Sequence, residues 1–226
     1  MSGMSELAAN LRLLAWLSPA FPTGGFAYSH GLEWAVERRD IHDAETLFGW
    51  IGDVMRHGSG RNDVILLRHA HRAMGDMAVL GDLCALGLAL SPSRERRAEA
   101  VGMGNAFVAA SRAWNAVVLP GLAARVGDVP YSVAVGALAG VEGVGEDFAA
   151  SGFLQAFAAS LISAAVRLVP LGQTVGLAVL ARLEGVLLEV GRESGTAGLD
   201  ELGGACFRSD IAAMRHETQY SRMFRS

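Results

Sequence analysis

Between residues 149 and 181 the chain carries one charge, Arg167, and that run constrains the fold more than any other stretch. So long an apolar segment has to leave water, either across a bilayer or inside a protein core. Gln155, Ser160, Ser163, Pro170, Gly172, Gln173 and Thr174 make it too polar for a membrane span. Val169-Pro170 divides it, because proline lacks a backbone donor and pushes the residue before it away from helix. The run therefore reads as two core helices meeting at a corner, with no membrane segment.

Helical periodicity recurs on both sides of this run. Leu7, Leu11, Leu14 and Leu17 mark the apolar face of a helix over 5–17 that ends at Pro19. A short helix is expected over 29–38 and a broad-faced one over 44–57, stopped by the GSG of residues 58–60. Residues 62–74 read as a core helix with an arginine-lined edge of Arg61, Arg68 and Arg72, followed by a helix over 76–90. Ser91-Pro92 is a helix start. Arg94, Glu95, Arg96, Arg97 and Glu99 read as the solvated face of that helix, which continues to Pro120. Residues 131–141 lack charge and predict a buried helix, 193–204 a flexible linker, and 211–216 a short last helix, with no core pattern in 217–226. The whole predicts an all-α, single-domain bundle of roughly seven to ten helices over residues 1–226.

Composition excludes several functions. A net charge of -4 without a basic cluster argues against nucleic acid as a partner. All nineteen basic residues are arginine, which, beside abundant alanine and glycine, fits a GC-rich coding sequence. Cys84 and Cys206 lie far apart without CxxC spacing, so the chain reads as cytoplasmic and reduced. The N-terminus does not resemble a secretory signal. Walker A needs a lysine that this chain lacks, no serine has nucleophile-elbow context, and the carboxylates show no acid–base pairing. The reading is of a protein that is not an enzyme and carries no cofactor. His69 and His71 diverge by about 200° on a helix, and His42 and His57 fall at helix ends, so no metal site is expected. His30 and His216 each have a carboxylate nearby, Glu33 or Glu217. Hydrogen bonding or a protein interface suits them better than nickel.

Residues 18–33, SPAFPTGGFAYSHGLE, interrupt the helical pattern. Pro19 and Pro22 stiffen the chain, Gly24-Gly25 permits positive φ, and Ser29 is a candidate cap. Phe21, Phe26 and Tyr28 must pack beneath this turn or against a partner, so it is either an elaborate helix corner or a docking surface. The tail interleaves Arg215, Arg222 and Arg225 with Tyr220, Met223 and Phe224, the residue types that carry much of the energy of protein interfaces.

Three blocks, SPAFPTGGFAYSHGLE, FLQAFAASLISAAVRLVPLGQTVG over 153–176 and SDIAAMRHETQYSRMFRS over 209–226, resemble the UreF family of urease accessory proteins. The resemblance implies a helical, dimeric assembly factor that bridges the companion UreD (UreH) and the GTPase UreG during nickel insertion into apo-urease. Carried onto the matching positions, it suggests partner contacts at Pro22, Gly24, Gly25, Phe26, Tyr28, Ser29, His30 and Glu33. It suggests others at Pro170, Gly172 and Gln173 of the corner, and at Arg215, His216, Glu217, Tyr220, Arg222, Phe224 and Arg225, with 217–226 a partner-binding tail. Two other roles are compatible with the same residues: control of GTP hydrolysis by UreG through a tail arginine, and binding or conduction of nickel.

Overall fold

The computed structural model describes residues 2–114 and 117–226. Its helices, in chain order, are α1 (Ser2–Trp16), α2 (Leu32–Glu37), α3 (Ala44–His57), α4 (Ser59–Arg72), α5 (Met77–Ala89), α6 (Arg94–Ser111), α7 (Val118–Val126), α8 (Tyr131–Val141), α9 (Glu146–Leu168), α10 (Gly172–Glu193) and α11 (Phe207–His216). Ten of these have nine residues or more and α2 has six; no strand occurs among the described residues. The result is the all-α bundle that the periodicity predicts.

The core is organised on α8, in which every residue from Ser132 to Gly140 is buried. A helix without charge has no face to offer water, so it is surrounded, with α4 and α6 as its main neighbours. A Cβ on Gly136 would stand 2.2 Å from the Leu67 carbonyl oxygen, and one on Gly140 2.3 Å from that of His71. Bare glycines one turn apart thus let α8 lie directly on the backbone of α4. The long apolar run forms α9 and α10, which pack on each other and on α3 and α4. Among the described residues α9 alone is long and apolar enough to cross a membrane, and half of its most apolar stretch is buried within the fold.

Several boundaries and faces differ from expectation. Helix α1 buries Ala9, Leu13 and Trp16 while Leu7, Leu11 and Leu14 face outward, because the aromatic Trp16 reaches Phe107 and Trp114 edge-on and sets the inner face. The stop expected at 58–60 is only a kink at Gly58, after which α4 starts at once. Ser93, not Ser91-Pro92, caps α6, accepting the Arg96 N–H at 3.1 Å. That helix stops at Ser111, and Pro120 falls in the first turn of α7, where its missing donor costs nothing. Arg68 is no edge residue. Its buried guanidinium donates to Glu146 at 2.6 Å, Asp147 at 2.8 Å, the Gly191 carbonyl at 2.7 Å and Ser194 at 3.0 Å, tying α4 to α9 and α10. Residues 193–204, read as a flexible linker, form a strap along α4. Arg72 donates to the Gly195 carbonyl at 2.6 Å, Arg61 to that of Glu201 at 2.7 Å, and the Gly203 N–H to Asn62 at 3.1 Å. Side-chain donors on α4 hold the carbonyls of this strap.

Candidate functional site

The interrupted segment after α1 folds as a series of tight turns. The Phe21 N–H donates to the Ser18 carbonyl at 2.9 Å, a short 3-10 turn covers Gly25–Ala27, and Gly24, His30 and Gly31 all take positive φ. At Gly31 the reason is proximity as well as φ: a Cβ would come within 2.7 Å of the Ala213 nitrogen. The turn is thus pressed against α11 from the far end of the chain. Phe21 packs on Phe107 and Trp114, and Tyr28 sits against Gly102 of α6. Pro22 and Phe26 face solvent.

The tail closes over this turn. Ser29 N–H donates to the Ser226 oxygen at 2.8 Å and Arg225 N–H to the Ala27 carbonyl at 2.8 Å. The carboxylate of Glu33 accepts the backbone N–H groups of Met223 at 2.7 Å and Phe224 at 2.9 Å. His216 is wholly buried behind it, with Nδ1 2.6 Å from Glu95 and Nε2 3.3 Å from Glu33. Glu95 also accepts from Arg222 at 2.7 Å. Phe224 is buried under Arg167, whose guanidinium lies 4.3 Å from the ring centroid and donates to the Phe26 carbonyl at 3.0 Å. The single charge of the long apolar run thereby joins tail to turn.

Beneath the clasp lie charges that the sequence placed in water. Arg96 and Glu99 are buried and, one turn apart on α6, paired with each other, with Glu99 facing both His30 and Ser226. Ser226 Oγ–H donates to Glu99 at 2.6 Å. The His30 ring has Nε2 2.6 Å from Ser59 Oγ and Nδ1 3.5 Å from Glu99. Burial, with help from Arg96 and against Glu99, lowers the His30 pKa to about 4. Burial by itself would raise Glu99, but Arg96 and His30 outweigh it and hold the carboxyl below its usual range. Asp63, which accepts from Ser132 at 3.0 Å, is pushed up to about 6 by burial, with Arg96 opposing. Asp63, Arg96 and Glu99 form the polar floor of a cleft of about 300 Å³ whose walls include Phe26, Tyr28, Met103 and Phe157.

The expected contact residues therefore divide. Ser29, His30, Glu33, His216 and Phe224 are internal in this arrangement. Gly24, Gly25, Tyr28 and Glu217 are half-buried, with Glu217 accepting the Arg94 N–H at 2.8 Å at the start of α6. Pro22, Phe26, Pro170, Gly172, Gln173, Arg215, Tyr220, Arg222 and Arg225 are exposed. Sequence reasoning missed Glu95, Arg96, Glu99 and Arg167; the lone charge at 167 was the one signal available. No cluster of three or more potential metal ligands occurs among the described residues.

Two apolar ridges lie outside the clasp. On α1, Leu7, Leu11 and Leu14 are each 58 or 59% exposed, and on α11, Phe207, Ile211 and Met214 are 67, 54 and 48% exposed. Both follow i, i+4, i+7 spacing, and both helices bury their opposite side. Side chains of this size in solvent are the mark of an interaction surface.

The architecture is that of an all-helical protein whose most elaborated feature is a tail-clasped turn. Comparison with known proteins agrees with this class. The UreF family model matches residues 41–184. Urease accessory protein UreF of Bradyrhizobium sp. (strain ORS 278) is 49% identical over 228 residues, covering all of this chain and 95% of that protein. The protein of the same name from Rhizobium etli (strain CIAT 652) is 49% identical over the full length of both, and that from Xanthobacter autotrophicus (strain ATCC BAA-1158 / Py2) is 50% identical over 96% of this chain and 90% of its own. The chain belongs to the UreF family of urease accessory proteins, with a role in urease maturation.

Proposed function

We propose that this protein is a cytoplasmic, dimeric adaptor that holds UreD (UreH) and UreG together while nickel is inserted into apo-urease. The observation that supports this reading is the pair of exposed apolar ridges. An adaptor needs at least two faces, and α1 and α11 supply one each on helices that pack against different neighbours, α9 for the first and α2 and α6 for the second. The exposed corner at Pro170, Gly172 and Gln173, with Val175 and Leu177 beyond it, is assigned to self-association. The clasped tail then acts by presenting Tyr220, Arg222 and Arg225 at fixed positions beside α11, not by folding onto a partner from a disordered state.

The test is co-elution of the full-length protein with UreD and with UreG separately, using Leu11→Arg and Ile211→Asp. Each variant is expected to lose one partner and keep the other, with helicity unchanged. If both variants retain both partners, the two-faced adaptor is wrong.

A further inference from the structure

The α11 ridge differs from an ordinary apolar patch in what flanks it. On a helical projection Arg208 and Arg215 run along one edge of Phe207, Ile211 and Met214, while Ser209, Ala212, Ala213 and His216 are buried behind. Arg208 reaches Asp40 across the surface at 3.0 Å and lies over the Trp50 ring, 5.4 Å from its centroid, with its side chain still 70% exposed and open to a further carboxylate. Arg215 is exposed and joins no ion pair among the described residues. The last turns add Arg225 and Arg222, the latter taken up by Glu95 at 2.7 Å, so residues 205–226 carry four arginines against Asp210 and Glu217 in a chain whose net charge is -4. The platform is also stiff. Gly31 abuts the α11 backbone at Ala213, and His216 locks its end between Glu33 and Glu95, so little ordering cost remains for binding.

Resting on the adaptor reading, we propose that the α11 ridge receives an acidic amphipathic helix from one partner protein. That helix would seat apolar residues on Phe207, Ile211 and Met214 and place carboxylates against Arg208 and Arg215. Two helices crossing at a shallow angle match such an i, i+4, i+7 ridge with one row of side chains, and arginine accepts a carboxylate in bidentate geometry at the rim. The charge complementarity selects the partner and speeds its encounter, while the ridge supplies the apolar contact.

Binding of the full-length protein to purified UreD and to purified UreG is measured at 50 and 500 mM NaCl, for wild type, Arg208→Glu/Arg215→Glu and Ile211→Asp. For one of the two partners, the charge-reversed protein should bind about tenfold more weakly at low salt, and the salt dependence seen with wild type should largely vanish. Ile211→Asp should weaken the same partner at both salts, with circular dichroism unchanged. Charge reversal that leaves both affinities and their salt dependence intact overturns the proposal without touching the adaptor. A halved solution mass for Ile211→Asp with both partners retained assigns the ridge to a second copy of this chain, and also overturns it. Wild type that binds neither partner brings down the adaptor reading and this proposal together.

Discussion

Helices α1 and α11 carry the same outward ridge, three large apolar residues at i, i+4, i+7, yet they are built into the molecule in opposite ways. The flank of the α1 ridge is Ala8 and Ala15, and the only charges in the helix are Glu6 and Arg12, the latter paired with Glu142 of the α8 end. Apart from that pair its support is apolar, through Ala9, Leu13 and Trp16. The α11 ridge is edged with arginine, and its support is largely polar: the buried imidazole of His216, the buried carboxylate of Glu33, the half-buried one of Glu95 and the returning tail. Apolar contact is indifferent to salt, whereas the exposed arginines that edge α11 are screened by it. The lesson is that equal apolar ridges need not be equal interfaces.

The severest way to break the comparison is to remove the base that both ridges share. Gly136→Ala drives a methyl group into the α4 backbone and should destabilise the fold by about 3 kcal/mol or more, losing both partners at once and dropping the melting temperature. His216→Ala sharpens the contrast. It removes the imidazole that joins Glu33 and Glu95 while their tail-amide and Arg222 contacts remain, at a cost of about 1–3 kcal/mol, and limited proteolysis should then cut the tail while the α1-dependent partner still binds.

A pH series separates the regions next. The folded chain keeps His30 neutral down to about 4, while the unfolded chain protonates it below about 6.5. Stability therefore falls as pH drops through that window. His30→Asn, which tolerates the left-handed backbone at φ 61, should reduce that acid-side loss by about 2 kcal/mol in denaturant melts. Asp63 acts with the opposite sign: its folded value of about 6 means that its stabilising share is present at low pH and lost as pH rises through 6. Asp63→Asn should flatten that opposing slope, and neither variant should alter the α1-dependent partner. The smallest expected effect is on the surface pair Arg208–Asp40, where Asp40→Asn should change stability by less than about 0.5 kcal/mol. If it changes stability much more, the α11 edge is a structural contact and not a free one.

Much of the fold was legible. The limits of α3 and α8 match their predicted spans, and the corner at Val169-Pro170 separates α9 from α10 where proline chemistry requires. The α1 face was misread because the helix is apolar nearly all round. Leu7, Leu11 and Leu14 form one stripe and Ala9, Leu13 and Trp16 another, and periodicity alone does not choose between two stripes. The clasp was legible only as a list of residue types. Glu33 and His216 were singled out for their neighbours in sequence, but the partners that matter, Glu95 for His216 and the tail amides for Glu33, come from more than a hundred residues away.

By itself the sequence determined the helical class, the burial of the uncharged runs, the proline and glycine punctuation and, through three blocks, the family. These follow from local stereochemistry and from the cost of apolar surface in water, both of which are written residue by residue. Tertiary structure alone decided which stripe of α1 faces out, that Arg68, Arg96 and Glu99 lie inside, and that the tail seals the turn instead of hanging free. A charge can be buried only where opposite charges and donors converge on it, and convergence of groups distant in sequence is a property of the packed chain.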